Sequence, residues 1–167
     1  MKNLAAKNLT NVRSVDRVRA IVIDEDRILL MYRKNQGKKY NTFPGGGIDS
    51  GESREKAVIR ECKEETSVDI EVDKLLYEVD WDHETKEFYY LCRYLKGTPL
   101  LGDFNEKEAM KSTSQYYKPY WEQLSNLKDL VLYPLEIRDL LILDIKNGFA
   151  NDKKNLYLEL KTCRQTI

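Results

Sequence analysis

Three glutamates, Glu61, Glu64 and Glu65, fall within one stretch, Ser53 to Thr66, that contains neither proline nor glycine. At about 100° per residue they occupy an arc of about 100°, with the small Ala57 on the same side. Like charges at i,i+3 and i,i+4 oppose a helix by a few tenths of a kcal/mol per pair, so the cluster calls for a counter-charge. Arg60 can pair with Glu64 at i+4, a surface contact of about 0.3–0.5 kcal/mol. A divalent cation is the stronger candidate, because hard cations take oxygen ligands, keep several waters and share their remaining positions with phosphates. The run Gly45-Gly46-Gly47 just upstream adds a backbone carbonyl, from Gly46 or Gly47. These residue types at this spacing point to phosphoryl chemistry. The plain alternatives are a solvated charged helix, with Arg60 and Lys63 among its glutamates, and an ordinary glycine turn.

The elements that must position this cluster follow from local pattern. Val18–Ile23 is dense in β-branched residues and Arg27–Tyr32 follows a turn at Asp24-Glu25-Asp26, which predicts a hairpin. Thr42-Phe43-Pro44 ends a third short extended segment, after which the glycines are expected to forbid regular structure. Ser53 is placed to cap the helix, whose core stripe by periodicity is Val58, Ile59, Cys62 and Thr66, opposite the glutamates. Ile70–Val79 and Glu87–Tyr94 read as strands, followed by a polar loop from Gly102 to Ser114 and an aromatic extended stretch ending near Trp121. Pro134 suits the first turn of a helix that Gly148 stops, and alternating Leu156, Leu158 and Leu160 suggest a last strand. Strands outnumber helices, which predicts an α+β fold or a mixed α/β/α sandwich.

Composition narrows the function classes. The chain has 167 residues, 41% of them hydrophobic and 34% charged, with 28 basic residues balancing 28 acidic ones. One domain spanning 1–167 is expected, its first 15 residues a flexible arm. Zero net charge argues against a nucleic-acid polymer or an anionic membrane as partner. The apolar runs Ala20–Ile23 and Leu140–Leu143 are far short of a membrane span, and Met1–Asp16 lacks the apolar core of a secretory signal. A cytoplasmic location is therefore expected. Cys62, Cys92 and Cys163 are odd in number and far apart, and His83 is the single histidine, so neither a disulfide framework nor a Cys/His zinc site is expected.

From Gly46 to Val68 the order Gly46, Glu52, Arg60, Glu61, Cys62, Glu64, Glu65, Val68 resembles the Nudix box, G-x5-E-x7-R-E-U-x-E-E-x-G-U with U a bulky apolar residue. All its charged positions match. Ser67 stands in place of the glycine that ends the box helix, and Cys62 fills an apolar slot with a small side chain. The lead-in Tyr40-Asn41-Thr42-Phe43-Pro44-Gly45-Gly46 and the segment Tyr117–Trp121 with Leu124 and Leu127 are similar to the family outside the box, so the resemblance covers roughly Arg17 to Leu143. It implies a Nudix-like α/β/α sandwich with a mixed sheet, hydrolysing a pyrophosphate bond in a nucleoside diphosphate linked to another group. It further implies that Glu61, Glu64 and Glu65, with Gly46, hold Mg²⁺ or Mn²⁺, that Arg60 orients the carboxylates, and that Glu52 braces the loop or joins the metal shell. Glu64 is the first choice for the base, and Glu106 and Glu108 in the later loop are the second.

Arg33, Lys34, Lys38 and Lys39 precede the glycine loop, as a solvated hairpin tip or as a phosphate clamp through Arg33 and Lys39. Tyr40 heads the aromatics that could face a nucleotide, among Tyr32, Tyr89, Tyr90 and Trp121, all equally suited to sheet packing. The chain lacks the downstream proline expected of ADP-ribose hydrolases, the tyrosine spacing of dinucleoside polyphosphate hydrolases and the extra motif of coenzyme A hydrolases. That leaves a nucleoside triphosphate or a sugar nucleotide as the favoured small-molecule substrate. A catalytically silent nucleotide-sensing module and a plain interaction domain are the competing readings. Dimers are common among such folds, which keeps a homodimer open.

Overall fold

A computed structural model describes residues 16–81, 85–102, 116–150 and 154–158. The strands are β1 (Arg17–Asp24), β2 (Arg27–Asn35), β3 (Lys38–Thr42), β4 (Asp69–Trp81), β5 (Thr85–Lys96), β6 (Tyr116–Gln123), β7 (Leu132–Tyr133) and β8 (Lys154–Leu158). The helices are α1 (Arg54–Thr66) and α2 (Leu135–Lys146), with a 3₁₀ turn over Leu124–Asp129. They form one mixed sheet. β1–β5, β3–β7 and β4–β8 pair in parallel, and the remaining pairs are antiparallel.

Strand alternation divides the core into two layers. Val18, Ala20, Val22, Leu29, Phe88, Tyr90 and Cys92 pack under Ala57, Val58 and Cys62 of α1. Ile21, Ile28, Leu30, Tyr77 and Tyr89 pack on the other face against Leu127, Ile137 and Leu141. The α/β/α sandwich expected from sequence is therefore present.

The predicted β1–β2 hairpin exists only at its tip. Ile23 and Asp24 pair with Ile28 and Arg27, while the rest of β1 runs parallel to β5. β6 pairs with β2 along Arg27–Lys34, so β1 and β3 share the other edge of β2 and the sheet forks between them. Pro44–Ile48 fills the fork. Val18 N–H donates to Gly46 O (2.9 Å), Ala20 N–H to Pro44 O (2.8 Å) and Ile48 N–H to Asp16 O (3.0 Å). The glycine run thus lies as an irregular edge strand on β1, more ordered than a break in structure.

Helix α1 starts and stops as read. Ser53 Oγ accepts from Lys56 N–H, and Ser67 adopts a left-handed conformation, φ 61°, with its N–H on Lys63 O. Its buried stripe needs a correction. Ala57, Val58, Cys62, Glu65 and Thr66 are buried, whereas Ile59 is 39% exposed. The glycine loop covers the side of the helix that periodicity alone assigned to water. Pro134 caps α2 from one position outside it, and Gly148 follows the cap residue Asn147 at φ 63°. The predicted last strand is β8, with Leu160 outside the described residues.

Candidate active site

Arg60 is the hub of the α1 cluster. Its Nε and Nη2 donate to the two oxygens of Glu52 (2.9 and 2.8 Å), and Nη2 also donates to Gly47 O (3.1 Å). Nη1 alone reaches Glu61 (2.9 Å) and Glu64 (3.1 Å). Glu52 in turn accepts from Asp49 N–H (3.2 Å), so the loop before the helix is pinned to the same guanidinium. That fork, foremost through its hydrogen bonds, holds the Glu52 carboxyl below the usual carboxylate range and raises Arg60 above its own. Glu64 is the most open member, with 45% of its side chain exposed.

Glu65 is tied differently. One oxygen accepts from Gly45 N–H (2.8 Å) and the other from Arg33 Nη2 (3.3 Å). Arg33 also donates to Thr42 Oγ1 (3.0 Å) and lies over the Tyr117 ring at 4.8 Å. Glu61 is half-buried beneath the loop. Its carboxyl is raised above the ordinary value, first because burial disfavours the charge, and further by Glu65 and Glu64, against the opposing pull of Arg60.

These residues fit a hard divalent cation. Among the described residues the four carboxylates form ion pairs with Arg60 and Arg33, and a Cβ at Gly46 would run into the Glu61 carboxylate, so the loop leaves that carboxylate its space. Among the described residues no three acidic, histidine or cysteine side chains close into a finished cage, since Glu61 and Glu64 are both turned onto Nη1 of Arg60. Gly46 O is engaged by Val18 N–H and keeps its second lone pair.

The substrate candidates separate. Strand register puts Arg33, Tyr40 and Tyr117 on one face, toward α1, and Lys34 and Lys39 on the other. Arg33 joins the cluster. Lys39 is exposed and does not, because Arg33 stands opposite Tyr40 in the register and Lys39, next to Tyr40 on β3, alternates to the other face. Tyr40 packs against Tyr133, with ring centroids 5.7 Å apart. Tyr89 and Tyr90 are buried, and Trp121 packs on Tyr94 beneath Arg27. Glu106, Glu108, His83 and Cys163 lie outside the described residues. Sequence reasoning missed Arg19 and Glu87, which hold the glycine loop from the far face of the sheet. A lone Arg in a strand carries no local signal of such a role.

The NUDIX domain model matches residues 13–130. The chain belongs to the NUDIX family. This NUDIX chain is 43% identical over 60 residues to an ADP-ribose pyrophosphatase of Methanocaldococcus jannaschii, a match spanning 35% of this chain and 36% of that protein. It is 25% identical over 142 residues to an RNA pyrophosphohydrolase of Pelagibacter ubique, spanning 75% of this chain and 86% of the relative. Its fold is similar to that of a NUDIX hydrolase from Nitrosomonas europaea (TM-score 0.67, 15% identity, 88% of this chain and 80% of that one). It is also similar to the solved ADP-ribose pyrophosphatase of Streptococcus suis (TM-score 0.62, 21% identity, 86% and 98%). The family and fold read from the box are borne out, and the reading of the chain as a NUDIX pyrophosphohydrolase agrees with both curated relatives. Among the described residues, no helix is long and apolar enough to cross a membrane.

Proposed function

We propose that this NUDIX protein hydrolyses a pyrophosphate bond in a small nucleotide, either a nucleoside triphosphate or a nucleoside diphosphate joined to another group. Glu61, Glu64 and Glu65, with Gly46 O, hold Mg²⁺ or Mn²⁺ in this reading. The observation that supports it most is the division of labour within Arg60. Nε and Nη2 are committed to Glu52 and Gly47 O, while Nη1 alone touches Glu61 and Glu64, so those carboxylates can be released without loosening the loop.

The chemistry that a divalent cation would supply when held there is a lowered pKa for a water and neutralisation of charge on the phosphate oxygens. Glu64, the most open carboxylate, accepts the proton of the attacking water, with Glu106 and Glu108 as second choices for that base. Glu52 and Arg60 hold the glycine loop and the helix in one geometry, which keeps the reacting groups in register. Arg33 steadies Glu65 and offers its guanidinium toward substrate phosphate. The protein works in the cytoplasm, where such nucleotides are found.

The relatives' names add ADP-ribose and RNA to the panel that tests this. Nucleoside triphosphates, sugar nucleotides, ADP-ribose, dinucleoside polyphosphates and a short 5′-triphosphate RNA are incubated with Mg²⁺, Mn²⁺ or EDTA, and released phosphate or pyrophosphate is read. Metal-dependent turnover of one class, abolished by EDTA, is the expected outcome. Nucleotide binding without turnover by any of them would instead mark a silent sensing module.

A further inference from the structure

Gly45 is gripped by both of its backbone groups, from opposite faces of the sheet. Its N–H donates to Glu65 on the α1 side (2.8 Å), and its carbonyl accepts from Arg19 Nη1 (2.8 Å). Arg19 shares the face of Ile21, away from α1. Its other nitrogens, Nε and Nη2, donate to Glu87 Oε1 (3.1 and 2.9 Å). Glu87 is 6% exposed, and its second oxygen accepts from Trp81 Nε1 (3.0 Å) and Tyr89 OH (2.8 Å). Register explains the meeting, since β1 and β5 run parallel and Arg19 lies opposite Tyr89, beside Glu87.

The backbone at Gly45 leaves no slack. Its φ is +143°, and a Cβ there would strike Val18 O. The next residue, Gly46, carries the space that Glu61 occupies. A shift of the Gly45 backbone therefore bears on two carboxylates: Glu65, which accepts from the Gly45 N–H, and Glu61, which fills the space beside Gly46.

We propose that Arg19, fixed by the buried Glu87, is a positioning residue that sets the glycine loop and through it the placement of Glu65 and Glu61. It touches no substrate and is not catalytic. The inference rests on the reading of the α1 carboxylates as the metal site.

Arg19→Lys is the test, because a lysine keeps a positive charge beside Glu87 but replaces the fork, whose separate nitrogens reach Glu87 and Gly45 O, with one nitrogen on a shorter reach. Three readouts are taken: hydrogen exchange of the Gly45 amide by ¹H–¹⁵N NMR on metal-free protein, Mn²⁺ affinity from the EPR signal of the free ion, and kcat and KM on the best substrate of the panel. Gly45 exchange is expected to quicken about 10-fold relative to amides in the centre of the sheet. Mn²⁺ affinity and kcat are each expected to fall about 10-fold, with KM within about twofold. Should Arg19→Lys not fold, the double variant Arg19→Met/Glu87→Gln removes both charges and is read in the same way.

A folded variant with unchanged Gly45 exchange and unchanged Mn²⁺ affinity overturns the role of Arg19. So does a loss of stability in which all amides exchange faster together while Mn²⁺ affinity stays put, which is what a purely structural ion pair would give. A wild-type protein that neither binds Mn²⁺ nor hydrolyses any member of the panel overturns the reading of the site itself, and the Gly45 amide then reports the loop geometry alone.

Discussion

Glu87 and Glu61 are two carboxylates withdrawn from water, one on each side of the glycine loop, and the protein treats them in opposite ways. Glu87 takes donors on both oxygens from Arg19, Trp81 and Tyr89. Burial is the largest single influence on it and pushes its carboxyl upward, yet Arg19 and the hydrogen bonds together hold it below the ordinary value. Among the described residues Glu61 has the shared Nη1 of Arg60 against burial and two acidic neighbours, and it ends above the ordinary value. Saturating a buried charge builds a rigid support, whereas leaving one short of donors leaves a place where a cation is welcome. The glycine loop joins the two.

That contrast is first broken by deleting the saturated partner. Glu87→Ala leaves Arg19 buried without its counter-ion, and stability should fall by about 3–5 kcal/mol by urea unfolding. A loss below about 1 kcal/mol would mean that water or another acid reaches Arg19 and that the network is no support at all. On the undersaturated side the expected pattern is reversed. Glu64→Gln should lower kcat about 10²-fold or more, the size of a lost proton acceptor and metal ligand, with the unfolding midpoint within error of wild type. A folded Glu64→Gln protein of near wild-type activity would remove Glu64 from the chemistry.

The two sides also differ in how far sequence reveals them. The α1 cluster is legible because helix geometry ties Arg60, Glu61, Glu64 and Glu65 together at fixed local spacing, and the whole box sits within one loop and one helix. The helix caps at Ser53 and Ser67 are legible for the same reason. What periodicity alone gets wrong is the buried side of α1. It put Ile59 in the core and Glu65 in water, because it has no knowledge of the loop that lies over the helix and donates Gly45 N–H to Glu65. The Arg19–Glu87 support spans 68 residues and depends on a parallel β1–β5 register. No pattern within either strand carries that pairing. The hairpin expected of β1 and β2 is confined to its tip for a related reason, since the fork in the sheet is set by where β5 and the glycine loop dock.

Adjacent glycines give a smaller and sharper separation of support from site. Gly45→Ala places a Cβ against the backbone oxygen of Val18 at a φ that side chains avoid, so about 2–3 kcal/mol of stability should be lost. Gly46→Ala meets instead the far end of the Glu61 side chain, which can swing away. Its stability should stay within about 1 kcal/mol of wild type while kcat falls about 10-fold, as expected for a displaced site carboxylate. Equal losses of stability in the two variants would erase the distinction between the loop's two glycines.

The finest difference is in the sign of a pH effect on metal-free protein, read as the melting temperature in EDTA between pH 4 and pH 8. Glu87 has a folded pKa below its ordinary 4.5, so the stability it contributes is complete above that value and drains away as pH falls through the folded pKa. Arg19→Met/Glu87→Gln, which lacks the group, should therefore lose less stability than wild type on acidification below about 4.5. Glu61 has a folded pKa above 4.5, so folding favours its protonated form and its charge detracts from stability at neutral pH. Glu61→Gln should accordingly melt slightly above wild type at pH 7, with the gap closing as pH falls toward 4.5, and Mn²⁺ should raise its melting temperature less than it raises that of wild type. If Glu61→Gln instead melts below wild type at pH 7 without metal, the Glu61 charge is already satisfied by Arg60, and the two carboxylates are two versions of the same support.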